Sequence, residues 1–196
     1  MVPSAVPSIT GSVSSLSMSG TVSSELETSD LKDITIELAD IYGVDVSDIE
    51  TTVDYIASGT LDVTIPDGLS EDEAVEVLRE SISNVLGVHP KDVVVTIDEN
   101  GAVDYSVSGA NYDEVASVQM IADQNDFATR ITDELKEDGS LMSVESSTVN
   151  PDLEIMVSTT VDTTDATVKD DPAGSINELT EQYGFTDSTV QGTTSI

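Results

Sequence analysis

From Gly11 to Gly20 the run Ser-Val-Ser-Ser-Leu-Ser-Met-Ser alternates apolar and small polar residues through Leu16 and Met18, which predicts a half-buried strand. The period then changes. Over Glu25–Tyr42, Leu31, Ile34, Leu38 and Ile41 fall three or four apart and predict one apolar helix stripe. Ile49, Thr51, Val53 and Tyr55 alternate along a second strand. Ala57-Ser58-Gly59-Thr60 reads as a turn, and Leu61, Val63 and Ile65 as the strand after it. Ser70-Glu71-Asp72-Glu73 has the S-x-x-E form of a capping box. It opens a helix whose Ala74, Val75, Leu78, Ile82, Val85 and Leu86 share one face. Val93, Val95 and Ile97 form a strand, Asp98-Glu99-Asn100-Gly101 a tight hairpin, and Val103, Tyr105 and Val107 the returning strand. Asn111-Tyr112-Asp113-Glu114 caps a helical region that breaks near Gln124-Asn125, resumes through Phe127, Ile131 and Leu135, and ends at Gly139. Strands over Met142–Val149 and Leu153–Val161 flank Asn150-Pro151-Asp152. A polar, acidic connector at 161–174, a short helix near Ser175–Tyr183 and an extended piece, Ser188–Ile196, complete the pattern. Residues 1–10 are punctuated by Pro and Ser and read as an extended segment.

Two stretches answer each other. Gly43-Val44-Asp45-Val46-Ser47-Asp48-Ile49 and Gly87-Val88-His89-Pro90-Lys91-Asp92-Val93 share the form G-V-x-x-x-D-[I/V] and lie 44 residues apart (43 to 87). Each ends a helical pattern with the Gly that suits a left-handed stop and leads into a β-branched run. Leu16–Gly20 and Tyr105–Gly109 match at a second offset of 89 residues (16 to 105). The chain therefore parses into four β-α-β pieces: 11–56, 59–98, 101–149 and 152–196. Two consecutive pieces make β-α-β-β-α-β, the split βαβ arrangement. The expectation is an α+β protein of two tandem ferredoxin-like units, 11–98 and 101–196, each an antiparallel sheet with helices on one face. Their only linker would be the Asn100-Gly101 turn.

The likeness goes further than the order of elements. Gly87–Thr96 (Gly-Val-His-Pro-Lys-Asp-Val-Val-Val-Thr), Asn125-Asp126-Phe127-Ala128 and the βαββαβ order resemble repeats of large secreted algal and protist cell-surface proteins, similar in outline to SEA-type domains. The resemblance covers most of residues 11–160. It implies an extracellular, often glycosylated, structural or adhesive protein. SEA domains often cleave themselves at a G-S-V-V-V hairpin between middle strands. Gly11-Ser12-Val13 precedes the first helix, so that activity is not carried over.

Charge narrows the partners. The 196 residues hold 39 Asp and Glu against 6 Lys and Arg, a formal net charge of −33. Binding of nucleic acid requires cations that displace phosphate counterions, and an anionic membrane repels such a surface. Neither is expected as a partner. Self-repulsion of this size is tolerated where salt shortens the Debye length to about 3–8 Å, which suggests a saline, extracellular or cell-surface setting. The chain has no Cys, so thiolate chemistry and disulfides are ruled out. Met1–Ser8 has neither the basic nor the apolar region of a leader, and no apolar run reaches the roughly 20 residues of a membrane span.

Candidate chemistry is sparse. His89, the sole histidine, cannot anchor a zinc site alone. Asp162-Thr163-Thr164 lacks the Gly of an aspartic-protease loop, no carboxylate pair stands out, and no phosphate-binding Gly loop occurs. The chain is read as non-enzymatic. Hard oxygen ligands cluster at Asp98, Asn100 and Asp104, and again at Asp162, Asp165, Asp170 and Asp171, and the cation such sets suit is Ca²⁺. Neither set has EF-hand spacing. No N-x-[S/T] sequon occurs, while Ser/Thr-dense stretches, including Thr159–Thr167, are candidates for O-linked sugar.

Two functions follow as expectations. The first is a structural, self-assembling module of an extracellular fibre, coat or adhesin, whose partners are homo-oligomer or filament neighbours. There, residues 1–20 would complete a neighbour's sheet. The second is a polysaccharide-, mineral- or calcium-binding extracellular module. It would use an acidic Thr/Ser strand face: Thr51, Asp62, Thr64, Thr96, Asp104 and Ser106.

Overall fold

The structure is a computed structural model that describes residues 13–22, 25–98, 102–162 and 172–192. The elements in chain order are β1 (Val13–Val22), α1 (Thr28–Tyr42), β2 (Ile49–Thr64), α2 (Glu71–Leu86), β3 (Val93–Ile97), β4 (Val103–Gly109), α3 (Tyr112–Ala122), α4 (Phe127–Glu137), β5 (Ser143–Val149), β6 (Leu153–Asp162), α5 (Pro172–Gln182) and β7 (Asp187–Gly192). The fold is α+β, as expected.

The repeated corner is the best-formed local signal. Gly43 and Gly87 stop α1 and α2 at φ 66° and 73°, where a side chain would be strained. The following amides reach back, Val44 N–H to the Ala39 carbonyl at 3.0 Å and Val88 N–H to the Ser83 carbonyl at 3.0 Å, which satisfies carbonyls left open by the helix end. Each corner then makes one 3₁₀ turn, Val46–Asp48 or Pro90–Asp92, before its strand. At the start of α2 the capping box is present: Ser70 N–H donates to Glu73 Oε2 at 3.1 Å and Glu73 N–H to Ser70 Oγ at 3.4 Å. The long third helical region is divided into α3 and α4, and the Phe127 amide bonds the Gln124 carbonyl at 3.0 Å across the break.

One expectation fails. Residues 57–60 are not a turn: β2 runs without interruption for 16 residues. The reason lies at Gly59, opposite Tyr105 in the β2–β4 ladder. A Cβ there would collide with the Thr148 carbonyl oxygen of β5 and stand 2.6 Å from the Tyr105 hydroxyl. Glycine at this position permits close approach of a neighbouring strand and an aromatic ring, a use of Gly within strands that a sequence shares with turns. The odd-numbered positions from Ile49 to Val63 keep one parity throughout.

The continuity of β2 changes the domain organisation. The chain forms two compact units, one of residues up to Asp54 and from Glu154 onward, the other Tyr55–Leu153. β2 gives its first residues to unit 1 and the rest to unit 2. In unit 2 the strand order is β3-β4-β2, with β5 on the other side of β2. The registers Val95↔Tyr105↔Gly59↔Val149 run antiparallel across it. In unit 1 the order is β2-β6-β1-β7, with β1 and β7 antiparallel from Ser14↔Gly192 to Ser19↔Asp187. The tandem division at 98/101 is therefore corrected. The middle two β-α-β pieces pair with each other, and the outer two pair across them. The Asp98–Ala102 hairpin lies inside unit 2 instead of linking two units.

Each unit has its own apolar centre. Unit 1 buries Leu16 and Met18 of β1, Ile34, Leu38 and Tyr42 of α1, Ile155, Val157 and Val161 of β6, and Ile176 and Leu179 of α5. Unit 2 buries Tyr55 and Leu61, Leu78 and Ile82, Val103, Tyr105 and Val107, and Phe127, Ile131 and Leu135. Its aromatic contacts include Tyr55 edge-on to Tyr112 at 5.5 Å and Tyr105 beside Phe127 at 6.0 Å. Strand positions of the opposite parity, such as Val94, Thr96, Asp104, Thr60 and Asp62, are exposed. We expect Gly59→Ala to destabilise unit 2 by about 3 kcal/mol, because a backbone oxygen must move to admit one methyl group. Urea denaturation measures this, and an unchanged midpoint would remove the close-approach explanation.

Candidate functional site

At the hairpin proposed for calcium, the described residues at its two ends are tied to each other. The Asp98 carboxylate Oδ1 accepts the Ala102 N–H at 2.8 Å, while the Asp98 N–H donates to the Ala102 carbonyl at 2.9 Å. One carboxylate oxygen of Asp98 thus holds the hairpin end closed. Asp104 stands opposite Thr96 on one side and Thr60 on the other. Asn100 lies outside the described residues, as do Asp165, Asp170 and Asp171 of the second cluster. Among the described residues no three His, Cys, Asp or Glu side chains gather closely enough to hold a metal ion.

Strand register gives the acidic, hydroxyl-rich face a definite composition. One row across unit 2 reads Thr96, Asp104, Thr60, Thr148, and Asp62 lies beside Ser146. Ser106 pairs with Val94 and Ser58. The register shift between Asp62 and Val63 leaves Glu145 as the extra residue of a bulge. Thr64 Oγ1 donates to the Glu145 carboxylate at 3.1 Å. Asp62, Thr64, Thr96, Asp104 and Ser106 therefore share one exposed face. Thr51 does not belong to it. Its hydroxyl meets Thr35 Oγ1 of α1 at 3.0 Å, on the helix-covered side of unit 1, as its shared parity with Ile49 and Val53 requires.

Two grooves were not foreseen. In unit 2 a groove of about 790 Å³ is floored by Leu86, Val107, Val115 and Val118 and rimmed by His89, Asp92, Asn111, Asp113 and Glu114. His89 is held by its ring, Nδ1 accepting the Lys91 N–H at 3.2 Å, and the residue is exposed. Asn111 Oδ1 is engaged as the cap of α3, accepting the Glu114 N–H at 3.2 Å. In unit 1 a groove of about 480 Å³ follows the seam of α1 and α5, between Ile36, Glu37, Asp40 and Ile41 and Ser175, Glu178, Leu179 and Gln182. The sequence signal for each was a pair of corners or helices meeting in space, which periodicity along the chain does not record.

Perturbed titrations mark burial and crowding of acids. Burial pushes the Tyr105 hydroxyl up to about 12 and raises Tyr42 as well. Tyr183, at the end of α5, is raised by burial and then by the carboxylates of Glu37, Asp33 and Asp30 on α1. Glu73 is lowered by its Ser70 hydrogen bonds. The ion pairs Arg79–Glu76 and Lys136–Asp133 each join residues three apart on one helix and so tie no two elements together. Thr159, counted among O-glycosylation candidates, is 1% exposed, and its hydroxyl has no hydrogen-bond partner among the described residues. It is not accessible in the folded state, and Thr163–Thr167 lies outside the described residues. Among the described residues no helix is long and apolar enough to cross a membrane.

Comparison of the chain with models of known protein families, with curated proteins and with solved structures gave no match. The reading of function therefore rests on geometry and composition.

Tyr105 supplies a pH test. A phenol held neutral by burial stabilises the fold below pH 10, and that contribution is lost as pH rises from about 10 toward 12, because the unfolded chain ionises first. A shift of this size is worth roughly 2–3 kcal/mol at most. Tyr105→Phe removes a buried hydroxyl that has no hydrogen-bond partner among the described residues. It should leave neutral-pH stability unchanged or raise it by about 1 kcal/mol, and flatten the alkaline limb. Denaturation at pH 8 and pH 11 compares the two proteins.

Proposed function

We propose that the protein is a structural, self-assembling module of an extracellular fibre, coat or cell-surface adhesin, made of two ferredoxin-like units, one nested within the other. The nesting reading is supported by the element order, β-α-β-β-α-β in unit 1 and the same in unit 2 with α3 and α4 together in the second helical place, and by the matching strand orders β3-β4-β2-β5 and β2-β6-β1-β7. The observation that carries self-assembly is the edge of unit 2. Among the described residues β3 has a strand partner, β4, on one side only. Its sequence, Val-Val-Val-Thr-Ile, holds no charge, Pro or Gly, and Val94 is 56% exposed. Edge strands are ordinarily blunted by Lys, Pro or a bulge, and an unblunted one pairs with another strand. In a chain of net charge −33 this uncharged strip is conspicuous, and the partner it suits is the same strip of a second copy, run antiparallel.

Earlier in the chain the expectation changes. Residues 13–20 belong to β1, set between β6 and β7, so they are not spare strand material for a neighbour. Residues 1–12 lie outside the described residues.

A second reading, an extracellular module that binds polysaccharide, mineral or divalent cations, is favoured by the Thr96-Asp104-Thr60-Thr148 row and its neighbour Asp62. The two readings separate by sizing and negative-stain imaging over a range of concentration, with and without calcium. Self-assembly gives polymers that grow with protein concentration and with salt, since salt screens the mutual repulsion. Val94→Lys should raise the concentration for half-assembly roughly tenfold or more, about 1.4 kcal/mol. A parent chain that stays monomeric at every concentration and salt level, or a Val94→Lys chain that assembles like the parent, refutes the edge-pairing role. A calcium- or glycan-dependent shift of a monomer supports the second reading instead.

A further inference from the structure

We propose that unit 1 is a complementation joint, closed in assemblies by the C-terminal half of a second copy of this chain. The inference rests on the self-assembly reading above and supplies the second contact it needs. Antiparallel pairing of two identical edges is a twofold contact, which by itself stops at a dimer. A chain that propagates requires another, different contact.

The strand order of unit 1 provides it. Read across, β2-β6-β1-β7 takes its strands alternately from the N-terminal half (13–54) and the C-terminal half (154–192). β1 and β2 are separated by β6, so the N-terminal half has no sheet of its own. The C-terminal half is in the same position, since β1 divides β6 from β7. Every strand pairing in the unit joins one half to the other, and so does the packing of α1 on α5. The apolar residues follow suit: Leu16, Met18 and Ile34 of one half and Ile155, Val157 and Phe185 of the other are all buried in this unit. A half taken from another molecule offers the same contacts, so exchange alters only chain connectivity and effective concentration.

Two further observations bear on the exchange. The C-terminal half departs from a fixed post. The Asn150 N–H bonds the Ser58 carbonyl at 2.8 Å, and its own carbonyl accepts from Gln119 Nε2 at 2.8 Å. The Asp152 N–H then bonds Asn150 Oδ1 at 3.3 Å. Pro151 stands between these groups, so the hinge is short and its unit 2 side is held. The halves also repel. Residues 13–54 carry ten carboxylates against Lys32, and residues 154–192 carry eight against Lys169. Across the α1–α5 seam Glu37 and Asp33 lie near enough to Tyr183 to raise its pKa. Low ionic strength thus loosens the closed unit, and added salt closes it on whichever half is present.

The test uses full-length chains, which have no native Cys. Glu37 Oε1 on α1 and Gln182 Nε2 on α5 lie 3.5 Å apart at an exposed contact. One chain carries Glu37→Cys, the other Gln182→Cys, both in the Val94→Lys background that weakens edge pairing. The chains are mixed at high concentration in low salt, returned to high salt and treated with a short bis-maleimide. A control mixture replaces the second site by Lys136→Cys in unit 2, and a double Glu37→Cys/Gln182→Cys chain reports closure within one molecule. Exchange gives a covalent heterodimer, bridged between positions 37 and 182, several-fold above the control. The proposal is overturned if the double chain cross-links within itself while the mixture stays at the control level. That result leaves edge pairing standing if the parent chain still assembles, so the two readings fail separately.

Discussion

The carbonyl oxygen of Thr148 leaves no room for a side chain at position 59, and the course of the backbone follows from that exclusion. Because Gly59 admits the β5 backbone on one side and the Tyr105 ring on the other, β2 can stay extended through this point, with β4 along Tyr55–Leu61 and β5 along Gly59–Thr64. Continuity of that strand carries the chain out of unit 1 at Asp54 and commits it to building a whole second unit before the first is finished. Tyr105 accepts a partnerless buried hydroxyl as part of this packing. A ring of that area, set over a glycine, gains more from burial than one orphan oxygen forfeits.

Much of the local structure was legible in the residues, because its causes are local. Gly43 and Gly87 end helices since only they accept the positive φ at those points without strain, and Ser70 with Glu73 closes a cap within one turn. The parity of Val103, Tyr105 and Val107 states which face of β4 is covered. Pairing was not legible in the same way. Four β-α-β pieces with similar corners can combine as neighbours or as a nest, and nothing within a piece records which. The decisive residue, Gly59 after Ala57-Ser58, has the composition of a turn, and its role depends on a carbonyl some ninety residues away (59 to 148). An unbroken parity from Ile49 to Val63 was the available counter-signal.

The candidate sites show the same division. Asp62, Thr64, Thr96, Asp104 and Ser106 could be assigned to one face because alternation fixes faces. Thr51 could not join them, because it shares the parity of the buried Ile49. Asp98 is ambiguous for another reason: an acid at a hairpin is as readily an acceptor for the loop's own amides as a cation ligand. The groove beneath His89 and the α1–α5 seam arise from separate stretches meeting, and no linear pattern announces them. Electrostatics, by contrast, needed no coordinates. The ion pairs Arg79–Glu76 and Lys136–Asp133 each lie within one helix, so apolar burial and backbone ladders are what set the described elements of each unit against the repulsion of its surface charge.

The alternation of early and late strands in unit 1 has a consequence for biosynthesis. A nascent chain emerges with β1, α1 and the start of β2 first, and none of these can complete a sheet until β6 and β7 have been translated. Unit 2, whose segments are contiguous from Tyr55 to Leu153, is available to fold in the interval. Throughout that interval the N-terminal segment carries Leu16, Met18 and Ile34 without their eventual cover, and on a polysome its neighbours are identical segments at staggered stages of translation. The order of synthesis thus sets a period in which the segment's apolar residues lack their native cover.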